Sequence, residues 1–372
     1  MSDPRWAVIA LTKHGIQHAL RLRERLPGSE LFVGGKGRDH LPPGAEVPTF
    51  DGGLVDFAAK IWSDYDGHVF FVSLGAVVRV IAPLLEDKHV DPAVVVVDDR
   101  AQFAISVLSG HVGGANRLAG RVAEALGALP VVTTASDVNR TVPVDILGRE
   151  FGWTLEEERN VTAVSASVVN EEPVAVVQTA GERGWWKGPL PRNLHPVPMA
   201  EAADPRFKAA LVITDGPVPE EVRKKAVVYR PRSLVAGMGC DIGVAPEEAE
   251  RFLLETFAKN GLSALSVRAL ATLDRKGEEP AFRHLCDKYG WSLETFTKEE
   301  LNTVVDLPNP SQKVFKYAGT FGVSEPASMI AAGRAAGNGG LGELVVPKVK
   351  ANMLTLAVAR IPFREADGDG AR

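Results

Sequence analysis

From Pro92 to Val97 the chain runs six residues without a polar side chain, four of them valine, and then stops on Asp98 and Asp99. A run this short and this β-branched suits a strand covered on both faces; a half-buried strand would alternate with polar residues. Similar texture returns at Trp6–Leu11, Leu31–Val33 and His68–Val72. Between these runs lie stretches with helical spacing: His14–Leu26, ended by Pro27-Gly28, then Leu54–Trp62, then a segment opened by Gly75 that carries Val77, Val78, Val80, Ile81 and Leu84. Strand alternating with helix over residues 1–140 predicts an α/β domain, a mainly parallel sheet with helices on both faces. Ligands of such sheets bind beyond the carboxyl ends of the strands. That rule places Ser73-Leu74-Gly75, Asp98-Asp99 and Ser109–Asn116 on one edge.

The last of these, Ser109-Gly110-His111-Val112-Gly113-Gly114-Ala115-Asn116, reads as a glycine-rich turn that carries a histidine into a helix. Leu118, Val122 and Leu126 recur at helical spacing, with Arg117, Arg121 and Glu124 on another face. The helix stops near Gly127, and Val131–Thr134 reads as the next strand. A glycine turn at a helix start exposes backbone N–H groups, which favour an anion or a developing negative charge. A histidine there puts a proton acceptor beside an oxyanion site. The plainer reading is a turn whose glycines only permit unusual backbone angles.

The chain has 372 residues, too many for one ordinary domain. The texture changes at residues 141–231, a smaller middle α/β domain with a long loop holding Trp185-Trp186. Paired tryptophans can stack on a flat macrocycle, although covering a sheet is the commoner role. From 232 to 364 the strand–loop–helix pattern restarts as a C-terminal α/β domain, beginning with Leu234–Cys240 running into a glycine turn. Expected there are strands at Ala264–Leu270, Ser292–Phe296 and Asn352–Ile361, and helices at Pro280–Tyr289 and Ser324–Ala336. Residues 365–372 read as a flexible tail.

Several classes lose support. The net charge of −5, without a long basic stripe, argues against a nucleic-acid binder. No stretch approaches the roughly 20 apolar residues of a membrane helix, and no signal-peptide core follows Met1, so the expected location is the cytoplasm. Cys240 and Cys286 form no metal-binding spacing and read as free thiols. His14 and His18 lack the glutamate that a metalloprotease helix requires. GxGxxG, GxxxxGK[ST] and GxSxG motifs are absent.

The blocks Gly75–Leu85, Lys88, Asp91–Asp98, Leu108–Asn116 and Val132–Asp137, in this order, resemble the core of the cobalamin biosynthesis protein CbiG family. Gly237-Met238-Gly239-Cys240, the Lys276/Glu278 stretch, Val323-Ser324-Glu325, Lys348 and Thr355 resemble that family's C-terminal domain. Asp241 departs from the pattern, where a basic residue is common. The resemblance implies a cobalt-precorrin-5A hydrolase. Its substrate is a cobalt-containing tetrapyrrole in which one acetate arm is closed as a lactone onto the extruded carbon bridge. Water opens the lactone and a two-carbon fragment leaves as acetaldehyde. The cobalt arrives with the substrate, and no cofactor or metal of the protein's own is implied. A homodimer and transient contacts with neighbouring pathway enzymes stay open.

Under this resemblance His111 is the expected base, because a near-neutral imidazole suits the work. Asp99 is expected to orient it, with Asp98 as the alternative. Backbone N–H groups of Gly113 and Gly114 would hold the oxyanion. Ser109 is the nucleophile of a covalent variant. Arg79, Lys276 and Lys348 are candidates to pair with substrate carboxylates. Gly75, Gly110, Asn116, Glu278 and Glu325 complete the expected substrate-binding set. Two rivals are a non-catalytic tetrapyrrole carrier and a transferase using the glycine turn for phosphate.

Overall fold

The computed structural model describes residues 4–337 and 339–363; the expected tail lies outside them. The chain separates into two compact units, with the division between Ile146 and Leu147.

The first unit contains strands β1 (Trp6–Ala10), β2 (Ser29–Gly34), β3 (Thr49–Phe50), β4 (Gly67–Phe71), β5 (Ala93–Val97), β6 (Phe103–Leu108) and β7 (Leu129–Val131). Its helices are α1 (Lys13–Arg23), α2 (Leu54–Ile61), α3 (Leu74–Ile81), α4 (Ala115–Leu126) and α5 (Ala135–Val138). The strands form one sheet in the order β3-β2-β1-β4-β5-β6-β7. Both faces are covered, which is why β5 has no polar residue. Val95 and Val97 join α1 and α4 through Ile16, Leu22, Leu118 and Val122. Val94 and Val96 face the other way, to Ile61, Val77, Val80 and Ile81 of α2 and α3.

Strands β3, β2, β1, β4 and β5 run parallel, as expected. Strand β6 was not foreseen, and it changes the layout. It pairs antiparallel with β5, Val97 opposite Ala104 and Val94 opposite Leu108. Asp98 builds the reversal: its carboxylate accepts from Arg100 N at 3.1 Å and Phe103 N at 2.7 Å. Ala101 sits in the left-handed region at φ 51° to close the turn. Strand β7 then runs parallel to β6. The His111 turn therefore comes after β6, not β5, and lies at the opposite edge from Asp98 and Ser73.

The second unit holds two sheets. The first comprises β8 (Thr154–Leu155), β9 (Val174–Gln178), β10 (Leu194–Pro196), β11 (Ala209–Ile213) and β12 (Ala226–Arg230), in the order β10-β9-β11-β12-β8, with α6 (Val161–Val169) and α7 (Glu220–Arg223). Only β8 pairs antiparallel there. The paired tryptophans are half-buried, and their indole N–H groups donate to Gln178 and to the Pro189 carbonyl.

The second sheet comprises β13 (Leu234–Cys240), β14 (Val267–Leu273), β15 (Ser292–Phe296), β16 (Glu343–Ala351) and β17 (Leu354–Arg360), in the order β15-β14-β13-β17-β16. Helices α8 (Pro246–Lys259) and α9 (Pro280–Tyr289) cover one face, through Leu253, Phe257, Phe282 and Leu285. After α10 (Lys298–Leu301) and α11 (Gln312–Ala318), the alanine-rich α12 (Ser324–Ala335) covers the other. Where one final strand was expected, residues 343–360 form an antiparallel hairpin. The strand expected at Ala264 begins at Val267, after a short 3-10 turn.

One buried ion pair joins the two sheets of this unit. Asp215, just past β11, accepts both Arg360 Nε at 2.8 Å and Arg360 Nη2 at 3.0 Å, and also the Ser233 hydroxyl at 2.8 Å.

Candidate active site

Strands β6 and β7 are parallel neighbours, and both end at the same edge of the first sheet. The segments that leave these two strands build the site. After β6 comes Ser109, whose backbone is left-handed at φ 55°, and then the glycine turn. Gly114 is left-handed at φ 86° and starts α4, a conformation that disfavours a Cβ. After β7 come Thr134, Ser136 and Asp137 at the start of α5.

The imidazole of His111 lies between two carboxylates. Its Nδ1 is 3.1 Å from Asp145 Oδ1 and its Nε2 is 2.8 Å from Asp137 Oδ2. The Ser136 hydroxyl is 3.2 Å from Nε2. Asn116 fixes the outer carboxylate, since its Nδ2 donates to Asp137 Oδ2 at 2.8 Å and to Thr134 Oγ1 at 2.9 Å. Its amide orientation is set from behind by the Ser106 hydroxyl, which donates to Oδ1 at 2.7 Å. Exposure is graded across the cluster: the side chains of His111, Asp145 and Asp137 are 13%, 25% and 46% accessible.

The electrostatics follow from this packing. The Asp145 hydrogen bond, helped by Asp137, holds His111 above the usual imidazole range, against burial that pushes it down. Burial pushes Asp145 up, but the imidazole outweighs it and keeps the carboxyl below its usual range, with Lys88 assisting. Each ring nitrogen faces a carboxylate oxygen. The free lone pair that an imidazole base requires is absent from this arrangement.

The expected site residues fall into separate places. His111, Gly110, Gly113, Gly114 and Asn116 are together. Asp99 is not the imidazole's partner: it accepts from Thr12 Oγ1 at 2.6 Å and pairs with His14 at 2.9 Å, at the opposite edge. The alternative, Asp98, is committed to the β5–β6 turn. Gly75 also lies at that far edge, at the start of α3, and Arg79 Nη1 donates to its carbonyl at 2.7 Å. The amide row is largely spent. Gly114 N donates to the His111 carbonyl, Ala115 N to Ser109 O and Asn116 N to Gly110 O. Among the described residues Gly113 N has no such acceptor. The Ser109 hydroxyl is buried without a partner, so no hydrogen bond from the imidazole activates it.

In the second unit, Lys276 pairs with Glu279 at 2.5 Å, whereas the expected Glu278 is a surface partner of Arg283. Glu325 is buried at the start of α12 and accepts from Lys348 N at 3.0 Å and Asn309 Nδ2 at 2.8 Å. The Lys348 ammonium donates to the Asn309 carbonyl. Burial pushes the Cys240 thiol up to about 11, which leaves little thiolate for a nucleophile. Among the described residues no cluster of three or more histidine, cysteine or acidic side chains is arranged to hold a metal ion.

Sequence reasoning named the block containing Ser136 and Asp137 without giving either a role, and passed over Asp145. Asp145 sits in an irregular stretch with no motif around it; a lone carboxylate after the apolar Val142-Pro143-Val144 was its single signal.

Three family models match in order: Cobalamin synthesis G N-terminal over residues 56–137, Cobalamin biosynthesis central region over 142–231, and Cobalamin synthesis G C-terminus over 234–359. A protein of Priestia megaterium named cobalt-precorrin-5A hydrolase is 42% identical over 96% of this chain and 95% of its own length. The chain belongs to the CbiG family. A Salmonella typhimurium relative with the same name is 32% identical over 87% of this chain and 91% of its own. A Sinorhizobium protein named CobE is 32% identical over 34% of this chain and 79% of its own. The imidazole–carboxylate cluster draws on Gly110–Asn116 and Thr134–Asp137 within the matched N-terminal region, and on Asp145 within the central one.

Proposed function

We propose that this chain is a cobalt-precorrin-5A hydrolase that opens the lactone of a cobalt-containing tetrapyrrole and releases acetaldehyde. The observation that carries the reading is the near-full-length similarity to relatives bearing that name. The His111 cluster supports it chemically. Ring opening needs a base to take a proton from water and an acid to return one to the departing oxygen. Carbon–carbon cleavage then needs that proton removed again, with the macrocycle accepting the electrons. Two carboxylates and an imidazole within hydrogen-bond reach provide for this traffic, and Gly113 N offers a donor to the developing oxyanion. The cobalt enters with the substrate. No described helix is long and apolar enough to cross a membrane, which agrees with a cytoplasmic enzyme.

The test is incubation of the purified chain with cobalt-precorrin-5A under anaerobic conditions. One acetaldehyde per macrocycle consumed is expected. Tight binding with no acetaldehyde would make the chain a carrier.

A further inference from the structure

The atoms already committed in the cluster divide its roles. His111 makes contacts of hydrogen-bond length with a carboxylate through both ring nitrogens. A neutral imidazole has one N–H and one lone pair, so it would turn the lone pair on one carboxylate. The arrangement is satisfied by the imidazolium, which has no acceptor left. Asp145 accepts from its inner side. Asp137 is different: Oδ2 takes His111 Nε2 and Asn116 Nδ2, while Oδ1 has no partner among the described residues. It is also the most exposed of the three side chains.

We propose that Asp137 is the catalytic base of this site, and that His111 and Asp145 form a positioning pair that holds it aimed. This deepens the hydrolase reading and rests on it. The water oxygen bonds to the lactone carbonyl carbon as one water proton passes to Asp137 Oδ1. The bond from that carbon to the ring oxygen then breaks, and Asp137 returns the proton to the departing oxygen, giving an alcohol and a carboxylic acid. In the second step Asp137 takes the alcohol proton, the carbon–carbon bond breaks to release the aldehyde, and the electron pair passes to the macrocycle. The proton on Asp137 follows it, so the carboxylate is regenerated.

The active form thus needs Asp137 ionised and His111 protonated. The groups acting on the imidazole are Asp145, from the irregular segment after α5, and Asp137 of α5 itself. Lys88, from the loop before β5, acts on Asp145. Deprotonating His111 turns a lone pair on one of its two carboxylates, and Asp137 then loses its charged donor.

The experiment compares wild type, Asp137→Asn and Asp145→Asn. Asp137→Asn should lower kcat by about 10²–10⁴-fold with the fold intact. Asp145→Asn should move the alkaline limb of kcat/KM down by about one pH unit and leave the acidic limb in place; Asp145→Glu should restore it. NMR titration of the His111 ring, which needs no substrate, should show the same downward move. Near-normal kcat in Asp137→Asn, or an acidic limb that follows Asp145→Asn, would make His111 the base and overturn the proposal while the hydrolase reading stands. A wild type that releases no acetaldehyde removes that reading and the base assignment with it. An unchanged His111 titration in Asp145→Asn removes the positioning role on its own.

Discussion

His68 gives the first unit a calculable dependence on pH. It sits on β4, fully buried, stacked on Trp62 with ring centroids 5.1 Å apart and planes 7° apart. Its Nε2 lies 3.1 Å from the Trp62 carbonyl, so that nitrogen carries the hydrogen. Nδ1 is buried without a partner. Burial pushes the imidazole from 6.5 down to about 4. The unfolded chain therefore takes up the proton first as the solution is acidified. The stability associated with neutral His68 is complete above about pH 6.5, falls as pH drops, and reaches its full loss below about pH 4. At about 1.4 kcal/mol per tenfold change in proton affinity, the full loss is about 3 kcal/mol, of which about 2.5 kcal/mol is gone by pH 4.5. Carboxylates titrate in the same range, so the measurement is a difference. Stability of the β1, β4 and β5 amides is read by hydrogen exchange at pH 7.5 and 4.5, in wild type and His68→Phe. The variant should be weaker at pH 7.5 by about 1–2 kcal/mol, because the Trp62 carbonyl loses its donor. Between the two pH values it should lose about 2.5 kcal/mol less than wild type does. Equal losses in the two proteins would mean that His68 is not held neutral by burial.

Two further substitutions probe the second unit. Asp215→Ala removes a carboxylate only 2% exposed and leaves the buried Ser233 hydroxyl and the Arg360 guanidinium without it. Arg360 is 30% exposed and Glu343 is 3.6 Å away, so the expected cost in urea unfolding is about 3 kcal/mol, the lower end for a broken buried pair. A loss below about 1 kcal/mol would show the pair to be screened like a surface one. Gly237→Ala would place a Cβ 1.9 Å from the Ser324 carbonyl oxygen, forcing α12 off β13. That should cost about 3 kcal/mol, and retained wild-type melting would refute the close approach.

The parts of the fold legible in the sequence were those whose environment leaves one pattern available. Strand β5 is such a case, since burial on both faces removes every polar residue. Strand β6 is another matter: Phe103 is exposed, Ala104 buried and the next four residues half-buried, so it lacks the run that marks its neighbour. The choice between Glu278 and Glu279 was closed to periodicity. Lys276 ends a short 3-10 turn and Glu279 precedes α9, so a loop brings the two together and no helical spacing applies. Asp145 was hidden for a related reason. It belongs to no periodic element, and it meets His111 only because residues 34 apart in sequence converge in space.

The hairpin turned by Asp98 decides where the site lies. The rule that ligands sit beyond the carboxyl ends of strands gives a single edge only for a sheet of one polarity, and this sheet has two. For β1, β4 and β5 the carboxyl edge holds Thr12, Ser73 and Asp99; for β6 and β7 it is the reverse edge, beside Asp91 and the loop containing Lys88. Applied to β6 and β7 alone, the rule gives Ser109–Asn116 and Thr134–Asp137, the two segments that enclose the imidazole. A substrate carbonyl activated at His111 and one activated at Asp99 would therefore stand on opposite edges of the same sheet. His111→Asn and Asp99→Asn should accordingly behave differently: the first removes the imidazole contact to Asp137, whereas the second disturbs the contacts to Thr12 and His14 at the far edge. Equal loss of acetaldehyde release in both would contradict the geometry of the hairpin, because among the described residues no hydrogen bond links Asp99 to the His111 cluster.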